Sequence, residues 1–228
     1  MVDPSPTQIK DAIDRLLEIR DLDSLVHRYL EGPPRRQFAG SLFDALGPNL
    51  SSDRVEDDTA WTITSDDLVA VSLLDVRFGA QAVYDLLVDG RCNEYLQDLP
   101  VQVDLWDADQ ATIEALEAAF EFLNGLPGVG RTKASKLLAR KRPQIAPIVD
   151  SLVEGFYGSV GWRHLRPLHE VLGESDRLVA AIDALAGPPE LHRPSTLRTL
   201  DIAIWMTRSW AMSARESRRE ILGSDARV

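Results

Sequence analysis

Apolar residues recur at three- and four-residue spacing along most of this chain. Ser5 suits an N-cap, Pro6 the first helical position and Gln8 the closing residue of a capping box; Ile9, Ile13, Leu16 and Leu17 then form one stripe, which predicts a helix over 5–20. A short helix is expected over 24–30, stopped by Gly32, Pro33 and Pro34. Similar patterns predict helices over 38–46, 66–76, 80–88, 111–124, 151–157, 162–172, 175–186 and 195–212. Only "TAWTIT", residues 59–64, has the β-branched and aromatic content of a strand, and one strand cannot make a sheet. The expected fold is therefore all-α, one compact unit of short helices over 1–228, with no repeat and no low-complexity segment. The stretch "SSDRVEDDTA" is expected to be a flexible surface loop.

The helix over 111–124 carries Ile113, Leu116, Phe120 and Leu123 on one side and is followed by Gly125, a helix-stopping signal. Pro127 prevents continuation, and Gly128 and Gly130 can take positive φ, so the chain can reverse within "LPGVG" and start a new helix near Arg131. Residues 111–142 thus read as helix, hairpin, helix. Such a turn directs backbone N–H groups outward, where they suit phosphate. Lys133, Lys136 and Arg140 fall at i, i+3 and i+7, while Ala134, Leu137 and Leu138 occupy another face. The basic face, with Arg131, is expected to be free to meet a nucleic-acid backbone, although basic runs are commonly no more than solvated surface.

Charge sharpens this picture. The formal net charge is −11, yet six basic and no acidic residues lie between Arg131 and Arg142. Residues 1–120 hold 24 acidic and 9 basic residues, whereas 121–228 hold 12 and 16. The acidic half must face away from DNA, cover the site until displaced, or serve a basic protein partner. Cys92 is the only cysteine and His27, His164, His169 and His192 are scattered, so neither a multi-thiolate metal site nor any cofactor is indicated. No apolar run approaches the roughly 20 residues needed to cross a bilayer, and the first residues lack a signal-peptide pattern, so no membrane partner and a cytoplasmic location are expected.

The hairpin together with "IVDSLV" resembles the helix-hairpin-helix DNA glycosylase superfamily that includes endonuclease III, in which "LPGVG" and a helix are followed by a VD[ST] element. The resemblance covers roughly 30 residues and implies excision of a base from DNA after the nucleotide is flipped out of the duplex. It assigns the catalytic aspartate to Asp150, which would help water attack or stabilise positive charge on the sugar. Bifunctional relatives carry a nucleophilic lysine where this chain has Thr132; Lys133, one residue later, is turned by about 100°. The resemblance therefore implies a monofunctional enzyme. A looser one, in "DDLVAVSLLDVR", "KLLARKRPQIAPIVDS" and "STLRTLDIAIWM", is to an actinobacterial family with no assigned function.

Blander readings stand beside these. Asp150 precedes a predicted helix, and an N-cap alone would explain it. A DNA binder with a decayed pocket, or a protein-interaction module, remains the alternative to an enzyme. Among the tryptophans, Trp205 sits on an apolar stripe and is expected in the core, whereas Trp61 and Trp106 are open as pocket walls or interaction anchors. Arg163 and Arg166 are candidates to extend the basic face; Tyr29, Tyr157 and His164 are candidate polar contacts that no spacing singles out.

Overall fold

The helical periodicity is realised almost throughout in a computed structural model of the chain, which describes residues 3–31, 38–43, 46, 58–187 and 193–223. In chain order the helices are α1 (Pro6–Leu17), α2 (Leu22–Leu30), α3 (Ser65–Ser72), α4 (Ala80–Tyr84), α5 (Cys92–Gln97), α6 (Gln110–Gly125), α7 (Gly130–Lys141), α8 (Ser151–Tyr157), α9 (Leu165–Gly173), α10 (Asp176–Ala184), α11 (Thr196–Arg208) and α12 (Met212–Leu222). Among the described residues there is no strand, and the fold is all-α. No helix among them is long and apolar enough to cross a membrane.

Local chemistry explains the boundaries. The Ser5 hydroxyl accepts from the Gln8 N–H while the Gln8 side chain accepts from the Ser5 N–H, the reciprocal box expected at the start of α1. Residues 59–64 are not a strand. Asp58–Trp61 is a 3-10 turn, and Thr64 caps α3 through a second box with Asp67. The β-branched hydroxyl thus serves a helix start rather than a ladder. The pattern over 80–88 divides into α4 and one π turn, and that over 162–172 into a 3-10 turn, Gly161–His164, and α9. Ala39–Leu42 is likewise a 3-10 turn within the expected helix 38–46, of which residues 44–45 lie outside the described residues. So do residues 51–57 of the acidic stretch. The helix expected over 195–212 stops at Arg208, where Ser209 is extended, and α12 follows.

Apart from Ala60 and Val101, which form a small separate cluster with Trp61, the buried apolar residues from Ile9 in α1 to Ala214 in α12 belong to one continuous core. Within it α1 lies on α9, α2 on α11, and α7 between α6 and α3. That last placement decides the character of the candidate site.

The core also encloses His164, whose Nδ1 meets the Ser159 hydroxyl at 3.2 Å and whose ring stacks on Tyr157. Burial pulls its pKa down to about 4, so the folded state holds it neutral. The unfolded chain binds this proton at an ordinary pKa near 6.5, so the contribution to stability is complete above that pH and is lost as pH falls through about 4. His164→Phe, compared with the parent by urea titration at successive pH values, is expected to show a shallower fall in stability across this window, by an amount on the order of 3 kcal/mol. Parallel pH curves would show that His164 does not drive the loss.

Candidate functional site

The hairpin forms as its residues dictate. The last turn of α6 ends at Gly125, Gly128 and Gly130 have φ of +75° and +67°, and α7 begins at Gly130 without a side-chain cap. Space for a Cβ exists at Gly130, so a substitution there is opposed by its φ and not by crowding. Lys133 closes the turn, donating from Nζ to the Gly128 carbonyl at 2.6 Å and lying over the Phe78 ring. Arg131 pairs with Glu154 at 2.7 Å and its side chain remains half exposed.

The rest of the basic run departs from expectation. Lys136 and Arg140 are buried, because the face that carries them packs inward against the segment 64–75 instead of meeting solvent. Lys136 Nζ donates to the Leu74 carbonyl at 2.7 Å. The Arg140 guanidinium donates to Asp67 at 3.2 Å and to the Phe43 carbonyl at 2.8 Å. Lys141 pairs with Asp67 and reaches the Thr59 carbonyl. Arg142, fully buried, donates to the carbonyls of Leu99, Ala60, Lys141 and Leu96. Periodicity locates residues on a common face; it cannot say that the opposite face is also covered. Only Arg131 and Lys133 of the six lie at the surface of the hairpin.

Behind the hairpin a cleft of about 720 Å³ opens, with Thr132 and Lys136 of α7, Asp150 and Leu152 at the start of α8, and Arg198, Asp201 and Trp205 of α11 on its walls. Asp150 is the N-cap of α8: Oδ1 accepts from the N–H groups of Leu152 at 2.9 Å and Val153 at 3.1 Å. Among the described residues its Oδ2 accepts no hydrogen bond. Ser135, completely buried in α7, fixes the approach to this cap, since its hydroxyl accepts from the Val149 N–H at 2.9 Å. The hairpin helix and the aspartate are thus joined by one side chain. Thr132 faces the cleft, whereas Lys133 Nζ is held at the Gly128 carbonyl.

Asp201, Arg198 and an aromatic wall, none of them in the sequence-based site, complete it together with Lys136. Asp201 is buried and ion-paired through Oδ2 to Arg198 Nη1. Burial, against the opposing influence of Arg198, raises its pKa to about 6, and Asp150 adds to the rise. Burial lowers the Lys136 pKa, while Asp150 and Asp201 oppose that shift. The aromatic wall consists of Tyr29 stacked on Phe38 at 5.2 Å, with Trp205 edge-on to both. Trp205 is therefore a cleft wall as well as a core residue. Trp210 stands at the rim, 82% exposed.

Other candidates are placed elsewhere. Trp61 lies beneath the Arg142 guanidinium at 4.8 Å and Trp106 packs against the core; neither lines the cleft. Arg163 pairs with Asp3, and Arg166 with Glu117. Burial pushes the Cys92 thiol up to about 11, which makes it a poor nucleophile. Arg198 and Asp201 escape the sequence reading, and Tyr29 is named in it but left out of the site, because no spacing relates α2 and α11 to the hairpin. Three acids, Asp75, Asp150 and Asp201, and three bases, Arg131, Lys136 and Arg198, on a cleft with an aromatic wall suit a ligand that is flat and polar at its edge.

No curated protein and no solved structure matches this chain. A model described as a family of unknown function (DUF6308) matches residues 23–208, a span that contains the hairpin, Asp150 and all of α11. The chain belongs to this family of unknown function, DUF6308.

Proposed function

We propose that this protein binds DNA through the hairpin, receives an extruded nucleotide in the adjoining cleft and hydrolyses its base–sugar bond with the help of Asp150. The observation that carries this reading is the Asp150 carboxylate, held by its cap through one oxygen, with the other accepting no hydrogen bond among the described residues, on the wall of a cleft that Thr132 also lines. As base and sugar separate, positive charge develops on the sugar, and an oriented carboxylate stabilises it or takes a proton from the attacking water. The protein contributes orientation, because Ser135 ties the backbone before Asp150 to the helix that grips phosphate. The exposed indole of Trp210 at the rim is placed to occupy space vacated in the duplex.

The buried cations limit how DNA is held. Arg131 and Lys133, with the amides of Gly128 and Gly130, are the hairpin's phosphate contacts, while Lys136 and Arg140 support the fold. Removing Arg131 and Lys133 together as glutamines is expected to make the slope of log affinity against log salt shallower by about 2, since each phosphate contact contributes about 0.9. An unchanged slope would place DNA elsewhere.

The activity test pairs binding with release. An intact duplex and one with a cationic abasic-site mimic are compared by fluorescence anisotropy, and base release is followed on a panel of modified duplexes. The mimic is expected to bind more tightly, and Asp150→Asn to slow base release by at least about 100-fold while the protein stays folded. Release that is indifferent to Asp150→Asn rejects the catalytic role. Equal binding of both duplexes without release leaves a DNA-binding hairpin with a degenerate pocket, and absence of DNA binding favours a protein partner.

A further inference from the structure

Among the buried charged groups of the cleft that the excision chemistry above does not use are Asp201 and Lys136, and they differ in what they can offer a ligand. Asp201 Oδ2 is taken by Arg198 Nη1, whereas among the described residues Oδ1 accepts no hydrogen bond. Lys136 uses one N–H on the Leu74 carbonyl, and an ammonium has three. Both residues line the cleft and both are more than nine-tenths buried. They act electrostatically on each other. The Asp201 carboxylate is held in place, since Arg198 is itself fixed by the Tyr29 hydroxyl at 2.9 Å and the Gly40 carbonyl at 3.2 Å. Gly40 is needed for this approach: a Cβ there would stand 2.1 Å from the Tyr29 hydroxyl oxygen.

An acceptor and a donor, both buried on the walls of a cleft that aromatic rings also line, match one kind of ring edge. We propose that Asp201 and Lys136 select the base in this cleft, taking a planar heteroaromatic ring that carries an exocyclic amino group next to a ring acceptor. Asp201 Oδ1 accepts from the amino group, and Lys136 donates to the neighbouring ring nitrogen. Tyr29, Phe38 and Trp205 supply the apolar wall. Adenine and cytosine have such an edge. Hypoxanthine and uracil place a carbonyl oxygen where the amino group would be, against the carboxylate, and an N–H against the ammonium. A buried polar site discriminates strongly against the ligand that leaves its groups unpaired or opposed. This inference rests on the reading of the cleft as a base-accepting site.

Protonation gives a second handle. Asp201 faces Arg198 on its own helix, Lys136 on α7, Asp150 and the buried Tyr157 on α8, and Tyr29 on α2 through Arg198. Because its pKa is raised to about 6, the carboxylate is the acceptor above that pH and becomes a neutral acid below it. The preference for amino-bearing rings should therefore fade as pH falls through about 6.

The test is calorimetric titration of the full chain with adenosine, cytidine, inosine and uridine at neutral pH. Adenosine and cytidine are expected to bind at least about tenfold more tightly than inosine and uridine, the effect of one charge-assisted hydrogen bond. Asp201→Asn should reduce that ratio to within about twofold, because its amide can turn to donate to a carbonyl oxygen as readily as it accepts from an amino group, and Lys136→Gln, an amide with the same freedom, should lower it as well. Equal binding of the four nucleosides, binding of none, or a ratio unchanged in folded Asp201→Asn overturns the proposal. Failure of the excision reading is a separate outcome: nucleoside preference without base release from any duplex keeps the selection and removes the chemistry, whereas base release without nucleoside preference does the reverse.

Discussion

Arg142→Met is expected to lower the unfolding free energy by about 4 kcal/mol, seen as a fall in the urea midpoint with an unchanged slope. The guanidinium is fully buried and has no acidic partner among the described residues; its charge is solvated by the carbonyls of Leu96, Leu99, Ala60 and Lys141. Burial lowers its pKa to about 10, which still leaves it protonated at neutral pH. Methionine keeps the apolar length of the side chain and supplies no donor, so four buried acceptors lose a partner that the backbone cannot replace. Each hydrogen bond to a charged group contributes roughly 1.5–3 kcal/mol, and relief of the cation's own desolvation offsets part of the sum. The bonds also join three places, the end of α7, the end of α5 and the turn Asp58–Trp61, so the loss loosens the floor on which the hairpin helix rests. Since a typical domain has only about 5–15 kcal/mol in hand, the variant should be marginal. A loss below about 1 kcal/mol would show that these carbonyls find water or other donors.

Asp67→Ala should cost about 3–5 kcal/mol, the usual effect of leaving a buried charge without its partner. Asp67 accepts from Arg140 and Lys141, and from the Thr64 N–H and hydroxyl of its capping box, all within a buried site. Removing the carboxylate strands two cations at once. The triple variant Asp67→Ala, Arg140→Met, Lys141→Met removes the charges as well as their partner, and is expected to recover at least half of the loss. Measured by thermal and chemical unfolding, the single and triple variants separate the cost of an unpaired charge from that of the lost cap. If the triple variant is no more stable than Asp67→Ala, the cap and the packing of α3 dominate, and the ion cluster would have little to do with holding α7.

Both expectations concern the same twelve residues, 131–142, which the chain's charge pattern singled out for DNA. That stretch combines two tasks. Its first turn carries Arg131, Lys133 and the glycine amides at the surface, while its last turns send Arg140, Lys141 and Arg142 into the interior. A reader of sequence sees cations at helical spacing and assigns solvent to them, since burying a lysine or arginine unpaired is costly. The exception arises because Asp67 and a set of backbone carbonyls wait on the other side, contributed by residues roughly 40 to 100 positions away in the chain. No local rule encodes that meeting.

Where the information is local, the sequence was sufficient. The all-α class, the box of Ser5 and Gln8, the reversal at Gly128 and Gly130, and Asp150 at the head of α8 all follow from interactions spanning a few residues. The short helix α5 and the separation of α12 from α11 were not legible, because a brief apolar pattern and an extended Ser209 leave no periodic mark. The cleft is a different matter. Asp201 and Arg198 of α11, Tyr29 of α2 and Lys136 of α7 become one site through the packing of helices on a shared core. Spacing along a chain specifies which residues share a helix face; which faces meet, and so which charges are buried and which cleft is left open, is decided by the tertiary fold alone.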